Sequence, residues 1–238
     1  IGLGASFALF QRFVILPMMD GPARSIWLLP LSLVFFLPTI HRLVIPSRFS
    51  DLYTGGNWFR AGMLFLFTWL AASVAMINPP LGDIAAPEVP EGIGIADTED
   101  VASVEYNGKD LILSVADGSP DITIGFSVRD NWKLEDIHMN ATIQRYGDAE
   151  VVLAGWMLDS ESATLSNQRY MEIANWTGSA EPASKVEDMG FAFDLESLEP
   201  GIHTISIRLV EEGDLWKNQW SGEYTCLLYT SDAADDIR

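Results

Sequence analysis

The chain has 238 residues, and its 33 acidic residues outnumber its 14 basic ones, which gives a net charge of −19. This balance excludes nucleic acid as a partner, because a strongly acidic surface repels phosphate backbones. The charge is unevenly distributed: residues 1–77 carry five arginines and two aspartates, whereas residues 78–225 carry eight basic and 28 acidic residues. We therefore expect two different parts, one suited to a bilayer and one suited to water.

The first part contains three apolar stretches that predict membrane spans, at about 1–19, 26–45 and 58–77. The last of them, WFRAGMLFLFTWLAASVAMI, is as long as one bilayer crossing. The first contains Arg12, so it is either a full span that pairs this side chain or the end of a helix followed by an interfacial turn. The second contains two prolines, which membrane helices tolerate better than soluble helices do.

Arginines indicate the orientation of these spans. Arg42, Arg48 and Arg60 lie in or beside the loop 46–57, whereas residues 78–108 contain no Lys or Arg. By the positive-inside rule, the loop 46–57 is predicted to be cytoplasmic and everything after residue 77 extracytoplasmic. The predicted localisation is therefore the cell membrane, with several crossings and the lipid bilayer as a partner.

Residues 78–97 form a predicted stalk, because they contain four prolines and three glycines and show no helical period. Pro-rich linkers are extended and semi-rigid. The alternative is that this segment packs along the first strand of the following domain. Its N-terminal half, at least, is expected to be a linker.

Residues 98–225 form a predicted β domain, because apolar and polar residues alternate and turn residues separate the runs. The run at 151–158 is mostly apolar, which favours a central strand. Seven or eight short strands of this kind predict an all-β fold, an antiparallel β-sandwich. The predicted strands are 110–116, 121–129, 137–143, 151–158, 169–176, 191–195, 201–210 and 218–225.

One segment carries a resemblance to a known family. Leu198-Glu199-Pro200-Gly201, the alternating residues up to Leu209 and the loop Glu211-Glu212-Gly213 resemble the late hairpin of immunoglobulin-like and fibronectin type III-like surface domains. In this resemblance His203 stands where such domains often carry an aromatic residue. The resemblance implies an immunoglobulin-like sandwich used for adhesion, recognition or spacing. An antibody-type domain is not indicated, because no Cys–Trp–Cys pattern is present.

The C-terminal end carries a different resemblance. Residues 226–236, CLLYTSDAADD, closely resemble the translation of a transposon-end adaptor used in sequencing libraries. The resemblance implies that residues 226–238 are not native and that the native sequence stops near Thr225. Cys226 is the only cysteine, so the β domain then has neither disulfides nor thiolate metal sites.

Acidic loops in the β domain make calcium the candidate cofactor, because Ca²⁺ prefers carboxylate and carbonyl oxygens. No EF-hand pattern occurs, and acidity that merely keeps the domain soluble is the alternative explanation. The candidate ligands are Asp97, Glu99, Asp100, Asp117, Asp121, Glu211, Glu212 and Asp214.

Three further residues are candidates for surface functions. Asn140 and Asn175 begin glycosylation sequons that an extracytoplasmic domain would expose. Trp132 follows a predicted turn, and its ring is a candidate for stacking on a sugar. No catalytic residue is predicted, since the three histidines show no metal-site spacing and no nucleophile motif is present.

These observations predict a membrane-anchored extracytoplasmic domain with a binding or structural role in a cell-surface or envelope protein. Its expected partners are other surface proteins or glycans. The alternative is a sensor or substrate-capture module attached to a transporter or membrane enzyme of which this chain is a fragment. A hydrolase with a site on the sandwich loops is the least favoured hypothesis.

Overall fold

The computed structural model describes residues 1–19, 26, 28–97, 99–107, 109–115, 118–178 and 187–230. The chain divides into two compact units. The first comprises Ile1–Ile84 with Gly213–Trp216, and the second comprises Ala85–Glu212 with the chain from Lys217 onwards. The first unit is helical and the second is built from two β-sheets and one helix, so the fold is mixed.

The first unit contains the segments predicted to span a membrane. Within the described residues, one helix is long and apolar enough to cross a bilayer, with a mean hydropathy of 1.6. This helix, α5, includes the predicted stretch and begins three residues earlier. The helices of this unit are α1 (Gly2–Phe10), continued by a π-helical turn (Gln11–Ile15) and a 3₁₀ turn (Leu16–Met18), then α2 (Leu29–Val34), α3 (Leu37–Val44), α4 (Ser47–Ser50) and α5 (Gly55–Ile77).

The predicted span at 26–45 is interrupted in the structure. It forms the two short helices α2 and α3, separated by a turn at Phe35 and Phe36. Pro30 and Pro38 each lie in the first turn of one helix, where a missing N–H removes no helical hydrogen bond. The prolines therefore start helices instead of being accommodated inside one.

Helices α1 and α5 pack side by side and run in the same direction. A Cβ added to Gly4 would clash with Thr68 Oγ1 and with the backbone carbonyl oxygen of Phe65, so the two backbones approach closely there. Farther along both helices, Trp69 Nε1 donates to Gln11 Oε1 at 2.9 Å, and Arg12 Nε donates to the Met76 carbonyl at 3.2 Å. Close contact through small residues combined with polar side-chain bonds is typical of helix pairs in membranes.

The second unit has two sheets that share one buried apolar cluster. In the described part of the chain the four-stranded sheet has the order β7-β1-β4-β8, and the six-stranded sheet has the order β2-β3-β10-β9-β5-β6. All neighbours are antiparallel except β3 and β10, which are parallel. The strands are β1 (Ile93–Ala96), β2 (Val101–Asn107), β3 (Asp110–Val115), β4 (Ile122–Val128), β5 (Ile137–Arg145), β6 (Val151–Met157), β7 (Trp176–Gly178), β8 (Met189–Leu195), β9 (Gly201–Glu212) and β10 (Lys217–Thr230).

Two secondary-structure predictions were wrong. The first half of the strand predicted at 169–176 is the end of the helix α6 (Glu161–Glu172), and residues 173–175 form a loop. The N-terminus of α6 is capped by Ser160 Oγ, which accepts the Ala163 N–H at 3.2 Å. Its Ser166 Oγ donates to the Ala192 carbonyl at 2.8 Å, which docks the helix on β8. The apolar run predicted as a central strand is β6, at the edge of the six-stranded sheet, where Val151 and Val152 are exposed.

The β domain begins earlier than residue 98, where the sequence predicted it. Val89 belongs to the buried cluster, and β1 pairs with β4 in the four-stranded sheet. A two-way backbone bridge also joins Glu88 to Arg129, with both N–H···O distances at 2.9 Å. The C-terminal half of the predicted stalk is therefore part of the second unit.

The last strand continues past Thr225. Residues 226–230 extend β10 and pair with β3 on one side, while Cys226, Leu227 and Leu228 also pair with β9 on the other. Cys226 and Leu228 are buried in the shared cluster, and this burial raises the pKa of the Cys226 thiol to about 12. The structure therefore places the first five residues of the adaptor-like segment in the sheet.

Candidate functional site

The six-stranded sheet presents a polar outer face centred on β9. Ile205, Ile207 and Leu209 alternate into the core, where they are almost completely buried. Because successive side chains of a strand point to opposite faces, Ser206 and Arg208 face outward. The same alternation that builds the core therefore selects the residues of the outer face.

Strand register brings polar residues from three strands together on this face. Arg208 is paired with Asn140 on β5 and with Ser221 on β10. Two residues earlier on β9, Ser206 is paired with Thr142 on β5 and with Glu223 on β10. These six residues are called the polar face below: Asn140, Thr142, Ser206, Arg208, Ser221 and Glu223.

The polar face is concave. It contains two grooves with volumes of about 440 and 430 Å³, and both are lined by Asn140 and Arg208. On β6, the residue paired with Asn140 is Gly155, which has no side chain to occupy the groove beside Asn140. The rims of the grooves add charged and apolar groups, namely Lys109 and Glu150 in the first and Asp136, His138, Met157, Glu212 and Lys217 in the second.

Arg208 is the main cation of this face. Its Nη2 donates to Gln219 Oε1 at 3.2 Å, and no ion pair joins its guanidinium to a carboxylate within the described part of the chain. The guanidinium therefore keeps free N–H donors beside the hydroxyls of Ser206 and Ser221 and the amide of Asn140. This set of donors and acceptors suits a polar ligand that bears hydroxyl or carboxylate groups.

A third cavity, of about 630 Å³, lies at the strand ends of the four-stranded sheet and brings two calcium candidates together. Asp97 and Asp121 line it with Asp194 and Glu196. Partial burial acts to raise the pKa of Asp194, but hydrogen bonds from Arg169 and Thr123 outweigh this effect and the pKa is lowered. Asp121 Oδ1 accepts the Ser197 N–H at 2.7 Å, so its carboxylate is also already engaged.

The remaining calcium candidates are dispersed. Glu99 and Asp100 form the turn before β2, while Asp117 lies outside the described residues. Glu211 is buried and accepts from Asn218 Nδ2 at 2.6 Å, and Glu212 pairs with Lys217 Nζ at 2.6 Å.

Asp214 belongs to the first unit, where it accepts the Asp83 N–H at 2.9 Å. Among the residues that the structure describes, no three of these candidates place ligand oxygens within 4.8 Å of one another. Calcium binding therefore stays a prediction.

The other candidate residues are all exposed. Asn140 lies on the polar face, and Asn175 lies in the loop between α6 and β7, where its carbonyl accepts the Asp97 N–H at 3.2 Å. Trp132 is 45 % exposed, and its backbone N–H donates to Asp130 Oδ2 at 2.8 Å. The Lys133 ammonium lies 5.7 Å from the Trp132 ring centroid, so a cation already contacts this ring.

The sequence did not single out Arg208, Ser206 or Ser221 as site residues. The alternation of polar and apolar residues along β9 indicated that Ser206 and Arg208 share one face of a strand. It does not show which strands lie beside β9, so it could not bring Ser221 to the same site. No protein-family model matches the chain, and no curated protein sequence is similar to it. The polar face is therefore interpreted from its own chemistry.

Proposed function

We propose that the chain is a multi-pass membrane protein that presents an extracytoplasmic, immunoglobulin-like binding domain. The observation that carries this proposal is the opposite arrangement of apolar side chains in the two units. In the first unit Phe13, Phe35 and Phe59 are exposed by 64 %, 84 % and 72 %. In the second unit the large apolar side chains of both sheets converge on one buried cluster. The outward apolar surface suits lipid, since in water it would drive association.

The direction of the helices supports several crossings. Helices α1 and α5 run in the same direction, so a chain that crosses a bilayer with both must cross back between them. The stretch available for the return is 26–45, where α2 and α3 follow each other closely. The arginines of the loop 46–57 and its flanks then favour a cytoplasmic loop and a β domain outside.

The strand order supports the immunoglobulin-like part of the proposal. In such domains strands A, B and E form one sheet, strands C′, C, F and G form the other, and connections cross between the sheets. Here β1, β4 and β8 occupy the positions of A, B and E, while β6, β5, β9 and β10 occupy those of C′, C, F and G. The connections from β4 to β5 and from β8 to β9 cross between the two sheets, as this arrangement requires.

His203 adds a local likeness. It lies near the start of β9, is 3 % exposed, and its Nε2 is 2.8 Å from the Glu199 carbonyl oxygen. Immunoglobulin-like domains often carry a tyrosine near the start of strand F whose hydroxyl bonds to the backbone a few residues upstream. Because a carbonyl only accepts, His203 must donate from Nε2 and makes the equivalent bond.

Within this proposal the polar face is the ligand-binding surface. It lies on the β6-β5-β9-β10 face and offers arginine, amide and hydroxyl groups in two adjoining grooves. Ligands of matching chemistry are the glycans and the polar side chains of other surface proteins. The role is recognition or adhesion, and the membrane part holds the domain at the cell surface.

Membrane topology is tested with single cysteines introduced at Ser47 and Ser221 in a Cys226→Ser chain. On intact cells a membrane-impermeant maleimide is expected to label position 221, and position 47 only after permeabilisation. Alkaline carbonate is expected to leave the chain in the membrane pellet. Labelling of position 47 alone on intact cells, or release by carbonate, would refute the proposal.

Ligand binding is tested by presenting the whole chain, in detergent micelles, to an array of oligosaccharides and peptides. Arg208→Ala is expected to lower binding at least about ten-fold, because a charge-assisted hydrogen bond is lost. Arg169→Ala removes the same charge from α6, away from both grooves of the polar face, and is expected to leave binding unchanged. Equal losses in both variants would show that net charge, and not the polar face, governs binding.

A further inference from the structure

A separate pocket lies at the N-terminal end of α5, within the first unit. It has a volume of about 380 Å³. Its polar wall consists of His41 from α3, Tyr53 from the preceding loop, and Asn57 and Arg60 from α5. Its apolar wall consists of Ile1, Ala61 and Leu64. The pocket therefore changes from polar to apolar across its width.

The cation of this pocket is uncompensated. Arg60 forms no ion pair with a carboxylate in the described part of the chain, and Arg42 and Arg48 add positive charge nearby in the sequence. Arg48 does not line the pocket. Its guanidinium instead lies 4.7 Å from the Phe49 ring centroid. The loop contributes one acid, Asp51, which is exposed. An anion bound in the pocket would form an ion pair with Arg60.

An unsatisfied buried atom gives a second, independent indication of a ligand. His41 Nδ1 is buried and has no hydrogen-bond partner among the described residues. The imidazole is held in place by the Trp58 ring at 5.7 Å and the Tyr53 ring at 6.5 Å between centroids. A buried polar atom without a partner is rare in native structures, and a bound group is one explanation for it.

We propose that this pocket binds the phosphate of an anionic phospholipid of the cytoplasmic leaflet. The proposal rests on the membrane insertion and orientation proposed above, which place this end of α5 at the cytoplasmic interface. Guanidinium groups bind phosphate oxygens with paired N–H donors, and imidazole and amide groups add further donors. The apolar wall continues toward the hydrocarbon, so the acyl chains of a lipid can follow it. Tyr53 and Trp58 are residue types that favour this interface.

The test uses the whole chain, purified in neutral detergent, with native mass spectrometry counting bound lipid. Phosphatidylglycerol is expected to bind and phosphatidylcholine to bind at least about ten-fold more weakly. Arg60→Gln is expected to weaken phosphatidylglycerol binding at least about ten-fold, because the charged donor pair is lost. Arg48→Gln is the matched control, because it makes the same charge change in α4, outside the pocket, and it is expected to change binding less than about two-fold.

A second variant separates loss of lipid binding from loss of folding. His41→Phe keeps the ring against Trp58 and removes the buried nitrogen, so it is expected to weaken phosphatidylglycerol binding without changing the helical circular dichroism. Equal weakening by the Arg60 and Arg48 variants, or equal binding of the two lipids, would overturn the proposal. Displacement of the lipid by millimolar inorganic phosphate would assign the pocket to a free anion instead. Carbonate extraction measures insertion independently, so failure of lipid binding is distinguishable from failure of the membrane anchor.

Discussion

Leu228 offers the sharpest test of how the chain ends, because the sequence and the structure assign different roles to residues 226–230. The resemblance to an adaptor implies a segment without a structural role. In the structure Leu228 is 1 % exposed and is paired with Leu113 on β3 and Gly201 on β9. Its side chain contributes to the cluster that both sheets share. Leu228→Ala should therefore leave a cavity in the core.

The expected cost follows from this burial. Replacing a fully buried leucine with alanine costs about 2–5 kcal/mol, and we expect about 3 kcal/mol because Leu228 lies near a strand end that can partly relax. For a domain of this size the loss corresponds to a fall in Tm of about 10 °C. Leu227→Ala is the matched control. Leu227 is half-buried on the opposite face of β10, so its truncation should cost less than about 1 kcal/mol.

The assay is urea unfolding of the whole chain in detergent micelles, followed by tryptophan fluorescence. The two variants are compared at equal detergent concentration, so the micelle affects both alike. Losses below about 0.5 kcal/mol in both variants would refute the structural role of residues 226–230. That result would leave the adaptor-like segment as an appendage and β10 as a strand that ends near Thr225.

Three other residues give predictions that separate local contacts from general stability. Asp188→Asn should lower the free energy of unfolding by about 3 kcal/mol in urea, because it breaks a two-bond ion pair with Arg129 in which the aspartate is 1 % exposed. Asp194→Asn should lower the Tm at pH 7. Because folding lowers the pKa of Asp194, its ionised carboxylate stabilises the folded state fully at pH values above 3.8, the ordinary pKa of an aspartate. The difference in Tm between the variant and the wild type should therefore shrink as the pH falls below 3.8. Gly4→Ile should lower the thermal stability of the helical circular dichroism in micelles, whereas Gly2→Ile should not, since a Cβ there meets nothing within 4 Å.

Most strands of the β domain could be predicted because burial on one face imposes a period of two. β9 is the clearest case, because Ile205, Ile207 and Leu209 are all buried on one face, as the alternation requires. Helix α6 was missed because its composition is polar. Only Ala163, Ser166 and Tyr170 are buried, at helical spacing, and two of these three are not strongly apolar. Ser160 at its N-cap was the available signal.

The position of β6 shows a different limit. An apolar run indicates that a strand exists, but an edge strand with exposed valines gives the same pattern as a central one. The beginning of the domain shows the same limit, since Val89 and β1 lie in a Pro/Gly-rich stretch whose burial depends on β4. Local composition predicts the conformation of a segment better than it predicts its neighbours.

The sequence by itself determined the division into an apolar helical part and an acidic β part, because hydropathy and period depend on local residue order. It also determined the apolar stretch of α5 and the alternation along β9. Only the tertiary structure decided that α1 and α5 run in the same direction, that β3 and β10 pair in parallel, and that Arg208 lies beside Asn140 and Ser221. These facts depend on register and packing between segments far apart in the chain, and a single sequence carries no direct record of such contacts.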